Sequence, residues 1–253
     1  MAFIHNISTV ARYEAKTLRR SWFFRLFSMG ALGILTIMNI AIYSPVGDED
    51  WNLVANPSSL PFLDLFILNL GQAIVVIFLA ADSLKRDKKV DTNEVLYTRP
   101  MSNFEYIIGK TFGILRLFIG LDLIILSIAL LINIISKSMT IDFMAYFTYL
   151  LLLVVPTIVF SLGLAFMLMS LIRNQAVTFL LLLGIAAMNL FWLWYRAGSI
   201  FDYMAFGLPM FKSDIAGIDN ISLVLNQRGL YFFAGLTLVF ATVLLFKRYH
   251  NQR

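Results

Sequence analysis

The chain has 253 residues, 60% of them hydrophobic, 15% aromatic and only 14% charged, which leaves too little polar surface to coat a soluble globule. Its net charge of +5 does not point to nucleic acid, because the basic residues stand in short clusters beside apolar runs, the pattern of a polytopic membrane protein. The absence of cysteine excludes disulfides and thiolate chemistry, and the two histidines, His5 and His250, stand at opposite ends and make no metal site.

In residues 3–20, Phe3, Ile4, Ile7, Val10, Ala11, Ala15 and Leu18 recur at helical spacing, with Arg12, Lys16, Arg19 and Arg20 on the other side. This predicts an amphipathic helix on the membrane surface with its cations toward headgroups, a plain basic tail being the alternative. A charge-free run over 26–47, flanked by Trp22 and Tyr43, predicts a first span at 22–44. The next loop carries Asp48, Glu49 and Asp50 and no Lys or Arg. A second span, at 60–82, holds Asp64, Asn69 and Gln72 in its first half.

Residues 82–110 form the one long polar interruption, D-S-L-K-R-D-K-K-V-D-T-N-E-V-L-Y-T-R-P-M-S-N-F-E-Y-I-I-G-K. Its start mixes charges that stay solvated, Val95, Leu96 and Tyr97 offer an apolar patch, and Pro100 ends any local helix. Ser102 with Glu105 three residues later predicts a capping box for the helix that follows. That third helix, 104–136, is longer than a crossing needs, so its first turns, with Glu105, Lys110 and Arg116, are expected to protrude. Gly109-Lys110-Thr111 looks like the end of a phosphate-binding loop, but the pattern needs glycine at 104, where Phe104 stands.

A fourth span, 143–172, contains Pro156, which removes a backbone donor and invites a kink. Only Arg173, Asn174 and Gln175 separate it from a fifth, 176–196, so the two are antiparallel neighbours. Residues 198–228 form a loop in which 200–211 is apolar but too short to span and is broken by Gly207, Leu208 and Pro209, reading as a dipping or interfacial element. A last span is expected at 229–247. Six spans place both termini on one side, and 15 Lys and Arg against four put that side in the cytoplasm.

Nucleophile-elbow and zinc-protease patterns are missing, so the chain does not read as an enzyme by itself. Ionisable residues inside spans are functional candidates by default. Asp122 follows Arg116 by six residues, about 120° apart on a helix, so the two do not pair along one face. Asp122 therefore needs a partner from another helix or a watery cavity. Asn69 and Gln72 share a face and Asn189 stands alone in the fifth span; interhelical hydrogen bonding and substrate contact are the two readings of these amides.

The amphipathic N-terminal helix, six spans, and the loop positions Glu94, Val95, Leu96, Tyr97, Thr98, Pro100, Tyr106, Gly109 and Lys110 resemble the permease subunit of ATP-binding-cassette exporters of the second ABC-transporter type. The resemblance covers the chain in topology and is concentrated in 94–110. It implies an all-α membrane domain with an elbow helix at 3–20 and a cytoplasmic coupling helix around 93–97. It further implies a dimer of permeases, homomeric or heteromeric, in a bacterial inner membrane. Two copies of a separate ATPase subunit bind the ATP and Mg, and this chain binds no cofactor. On this resemblance Asp91, Glu94, Val95, Leu96, Tyr97, Arg99 and Pro100 meet the ATPase, with Arg173 and Asn174 as a smaller contact. Ser102, Glu105, Tyr106, Gly109 and Lys110 pass the motion into the third span. The pathway side chains, mostly Phe, Leu and Ile with a few amides, lean toward an apolar or amphipathic cargo. An ion- or proton-driven carrier centred on Asp122, a non-transporting scaffold and, for 82–110, an ordinary solvated loop are the competing readings.

Overall fold

The computed structural model describes residues 2–43, 58–86, 101–136, 141–213 and 217–246. Among these, seven long helices form: α1 (Ala2–Arg19), α2 (Trp22–Tyr43), α3 (Ser59–Arg86), α4 (Asn103–Ser136), α5 (Phe143–Ile172), α6 (Gln175–Arg196) and α7 (Ile221–Leu245). All but α1 are long and apolar enough to cross a membrane, which makes this an all-α polytopic protein with six candidate spans. One small departure is a two-residue antiparallel pair, β1 (Lys212–Ser213) and β2 (Gly217–Ile218).

Local chemistry sets the helix ends. The Ser21 hydroxyl accepts from Phe24 N at 3.2 Å and starts α2. Asp142 caps α5 by accepting from the Met144 and Ala145 amides, and Asn174 caps α6 through Ala176 and Val177. Between α5 and α6 the chain reverses through Arg173, a non-glycine residue at φ 58° whose amide closes on Met169 O.

The core gathers on α5, the most enclosed span, while α2 is peripheral and largely uncovered. α7 lies along the second half of α5, and α3 packs against α4, α5 and α6. Two glycines let α5 and α7 touch by their backbones: a Cβ on Gly235 would stand 2.7 Å from Phe160 Cα, and one on Gly163 would meet Gly235 O at 2.5 Å. Large apolar side chains such as Met29, Ile37, Ile135, Phe191 and Leu244 point outward. A surface this apolar matches hydrocarbon, where lipid tails replace water as the solvent.

One expectation needs correction. The last span does not begin at residue 229 but at Ile221, capped by Asn220, because its polar residues Gln227 and Arg228 are buried with partners and so belong inside the helix. The N-terminal helix forms as expected with its cations exposed on one face, and its other face packs along the first turns of α4, with Ala11, Glu14 and Leu18 buried. Small residues allow this, since a Cβ on Gly109 would stand 2.7 Å from Val10 Cβ and one on Gly113 2.8 Å from Ala11 O.

Candidate functional site

Residues 87–100 and the coupling helix expected around 93–97, with Asp91, Glu94, Val95, Leu96, Tyr97, Arg99 and Pro100, lie outside the described residues. The chain on either side of them is described, and it is tightly joined. Ser102 N donates to Glu105 Oε2 at 2.7 Å while Glu105 N donates to the Ser102 hydroxyl at 3.1 Å, a closed capping box at the start of α4. The same Glu105 accepts from Asn6 Nδ2 of α1 at 3.0 Å. Tyr106 stacks on Phe246 just beyond α7, and Asn103 Nδ2 donates to Phe246 O.

One turn further in, Lys110 is fully buried. Its Nζ lies 3.0 Å from Glu14 Oε2 of α1, 2.8 Å from the Ser83 hydroxyl and 3.2 Å from the Ser83 carbonyl of α3. Glu14 Oε1 accepts from Arg86 Nη2 at 2.7 Å, and Arg86 lies 3.8 Å from Asp82. The end of α3 and the beginning of α4, the two points where 87–100 attach, are therefore pinned to each other through α1. Buried charges hold geometry well when each is paired, because losing one partner strands the other. The helix holding Gly109-Lys110-Thr111 already starts at Asn103, so no loop precedes these residues to cradle a phosphate.

The Arg173–Asn174 turn lies at the same end of the bundle. It borders a cavity of about 550 Å³ with Phe78 and Ala81 of α3 and Phe179 of α6. Phe78 and Phe179 meet edge to face, 5.3 Å between ring centres, so this turn is packed onto the last turns of α3.

Deeper in the bundle the polar side chains seek each other across helices. Gln72 Nε2 donates to Asp122 Oδ1 at 2.6 Å, joining α3 to α4. Asn39 of α2 donates to both carboxylate oxygens of Asp64, at 3.0 and 2.8 Å. Asn69 and Gln72, though on one face, serve different neighbours: Asn69 donates to Met204 O at 2.9 Å. Asn189, in a π-helical turn of α6 (Asn189–Leu193), donates to Phe201 O at 2.8 Å. Of Asn69, Gln72 and Asn189, only Gln72 bonds to another span, whereas Asn69 and Asn189 bond to carbonyls of the segment between α6 and α7.

Met204 and Phe201 belong to the apolar stretch 200–211, which runs back among the helices with Tyr203, Met204, Ala205, Leu208 and Met210 buried. Its carbonyls are bound by side chains of surrounding helices. Tyr231 donates to Ile200 O at 2.6 Å, Gln227 to Ser199 O at 3.0 Å and to Asp202 O, and Thr157 to Tyr203 O at 3.2 Å. Inside it, the Asp202 carboxylate accepts from Gly207 N at 2.7 Å, and burial holds this carboxyl above the usual aspartate range.

Arg228 completes this region. Fully buried on α7, it donates from Nε to Leu152 O at 2.7 Å, from Nη2 to Leu153 O at 2.8 Å and Thr157 Oγ1 at 2.6 Å, and from Nη1 to Tyr203 O at 3.0 Å. The reason is local. Pro156 has no N–H for the carbonyl four residues before it, Leu152, and α5 widens there into a π-helical turn over Leu150–Val154. The guanidinium supplies the missing donor from the next helix.

Glu14, Asn39 and Arg228 are among the residues that sequence reasoning missed. Glu14 does stand with Ala11 and Leu18 at helical spacing, which is a readable sign that it faces the packed side. Among the described residues no three His, Asp or Glu side chains are grouped to hold a metal ion. No protein-family profile matches the chain, and no curated protein matches it.

Proposed function

We propose that this chain is the permease subunit of an ATP-driven exporter, working as a dimer with two separate ATPase subunits that carry the ATP and Mg. The observation that carries the reading is the joint around Glu14. Arg86 and Lys110 meet on one carboxylate, and Ser102 and Glu105 cap the helix between them and the loop. A partner that pushes on 87–100 moves α3, α4 and α1 as one body. The six apolar helices, the packed Arg173–Asn174 turn at the same end and the segment 200–211 folded back before the last span also support it. On this reading both termini and the loop face the cytoplasm of a bacterial inner membrane, where the excess of Lys and Arg belongs. An apolar or amphipathic cargo fits the side chains.

The test is gentle extraction, identification of a co-purifying ATPase, and measurement of substrate-stimulated ATP hydrolysis in Glu94→Lys and Leu96→Asp. Both substitutions are expected to abolish stimulation; wild-type coupling in both refutes the assignment of the loop. A second reading, an ion- or proton-driven carrier, draws on Asp122, whose Oδ2 has no partner among the described residues. Transport that persists without ATP and collapses in Asp122→Asn would establish that reading instead.

A further inference from the structure

α1, α2 and α4 line an open cavity of about 730 Å³. One wall carries Arg12, Lys16 and Arg19, which follow each other at helical spacing along one face of α1, and Arg116 of α4 joins them. All four are exposed, no carboxylate lines the cavity, and among the described residues none of the four has an acidic partner. The acidic residue of α1, Glu14, is turned to the other side and held by Lys110 and Arg86. Like charges three and four residues apart on a helix repel by a few tenths of a kcal/mol per pair, and an anion placed among them relieves that repulsion.

The floor has a different character. Leu117, Leu121 and Ile124 follow Arg116 along α4, and at about 1.5 Å per residue the apolar stripe reaches roughly 12 Å from the cations. Gly120 keeps that floor open: a Cβ there meets no atom within 4 Å. Charge at one end and hydrocarbon along the helix axis describe an amphiphile standing parallel to α4.

We propose that this cavity binds one anionic phospholipid, its phosphate on Arg12, Lys16, Arg19 and Arg116 and its upper acyl chain on Leu117, Leu121 and Ile124. A free phosphate shares the headgroup chemistry but has no use for the apolar floor. A zwitterionic lipid brings its own cation into the cluster and gains little. The bound lipid fastens α1 from the side opposite Glu14, so that the helix is held by protein on one face and by lipid on the other.

The full chain, purified in neutral detergent and delipidated, is titrated with short-chain phosphatidylglycerol, phosphatidylcholine and inorganic phosphate, with occupancy read by native mass spectrometry and by the change in melting temperature. One phosphatidylglycerol per chain is expected, held at least about tenfold more tightly than phosphatidylcholine, while inorganic phosphate gives neither adduct nor shift. Arg116→Gln and Lys16→Gln each weaken phosphatidylglycerol about fivefold, the effect of one cation at an anionic headgroup. Gly120→Leu weakens it with no change of charge, and glycine's poor helix propensity means that this replacement does not disturb α4. Arg196→Gln, at the other end of the bundle, leaves binding unchanged. Equal retention of the two lipids, phosphate binding as tight as lipid, or full retention in both Arg116→Gln and Gly120→Leu overturns the proposal.

Discussion

The pairing of Arg228 with the gap left by Pro156 can be isolated by a double-substitution cycle. R228M alone has two opposing effects. It relieves the cost of holding a guanidinium in an apolar span, about 2.5–3.5 kcal/mol, and it leaves the Leu152 carbonyl with no donor, which costs about 1–3 kcal/mol. The net sign of that single variant therefore decides nothing. P156A restores an N–H four residues after Leu152, and with α5 closing from its π-helical turn to α-helical spacing the carbonyl regains a partner within its own helix. The guanidinium term is common to both backgrounds and cancels in the cycle. R228M is thus expected to be less damaging in the P156A background by about 1–3 kcal/mol, the value of the single 2.7 Å bond from Nε to Leu152 O. The assay is unfolding in mixed micelles followed by the fluorescence of the four tryptophans. A coupling energy below about 0.5 kcal/mol, or of opposite sign, refutes the account.

Further outcomes follow from the same packing logic. Glu14→Gln removes the carboxylate shared by Lys110 and Arg86 while keeping its shape, and is expected to cost about 1.5–3 kcal/mol, the value of charge-assisted hydrogen bonds; retained melting temperature in Glu14→Gln contradicts a stabilising role for the pair. Gly235→Ala places a methyl 2.7 Å from the Phe160 backbone, which cannot swing aside as a side chain would, so a loss of about 1–3 kcal/mol and poorer monodispersity on size exclusion are expected. Lys212 holds the Asp142 carboxyl below its ordinary range, chiefly through their hydrogen bond. A lowered folded-state pKa adds stability that is complete above the unfolded value and is lost as pH falls through the folded one. Melting temperature should therefore drop below the usual aspartate range, and Asp142→Asn, which keeps the α5 cap, should remove that part of the dependence.

The helices were legible because each span is a long apolar run bounded by caps that act locally. Ser102 and Glu105, Asn174 and Asp142 need only their neighbours in sequence to do their work. What escaped depends on partners distant in the chain. Arg228 reads as a loop cation until the carbonyls of α5 and Tyr203 stand around it, and this misplaced the start of α7 by eight residues. Pro156 announced a break in α5, yet nothing near it named the donor that fills the gap. Asp122 and Gln72 were both visible as buried polar residues, but their pairing needed the relative rotation of α3 and α4. The docking of α1 was hidden for a related reason: its cations gave it the look of a surface helix, while Glu14 and the small residues Gly109 and Gly113 determined where it sits.

The clamp at Glu14 also sets an order of events during biosynthesis. Its partners Arg86 and Lys110 lie 72 and 96 residues further along the chain. At roughly 5–20 residues per second, α1 exists for about 5–20 s before the lysine that neutralises its carboxylate has been made. Arg86 is made first, so the carboxylate can gain one of its two cations before the other exists. The packed arrangement of α1 on Gly109, Lys110 and Gly113 cannot form until those residues of α4 have been made.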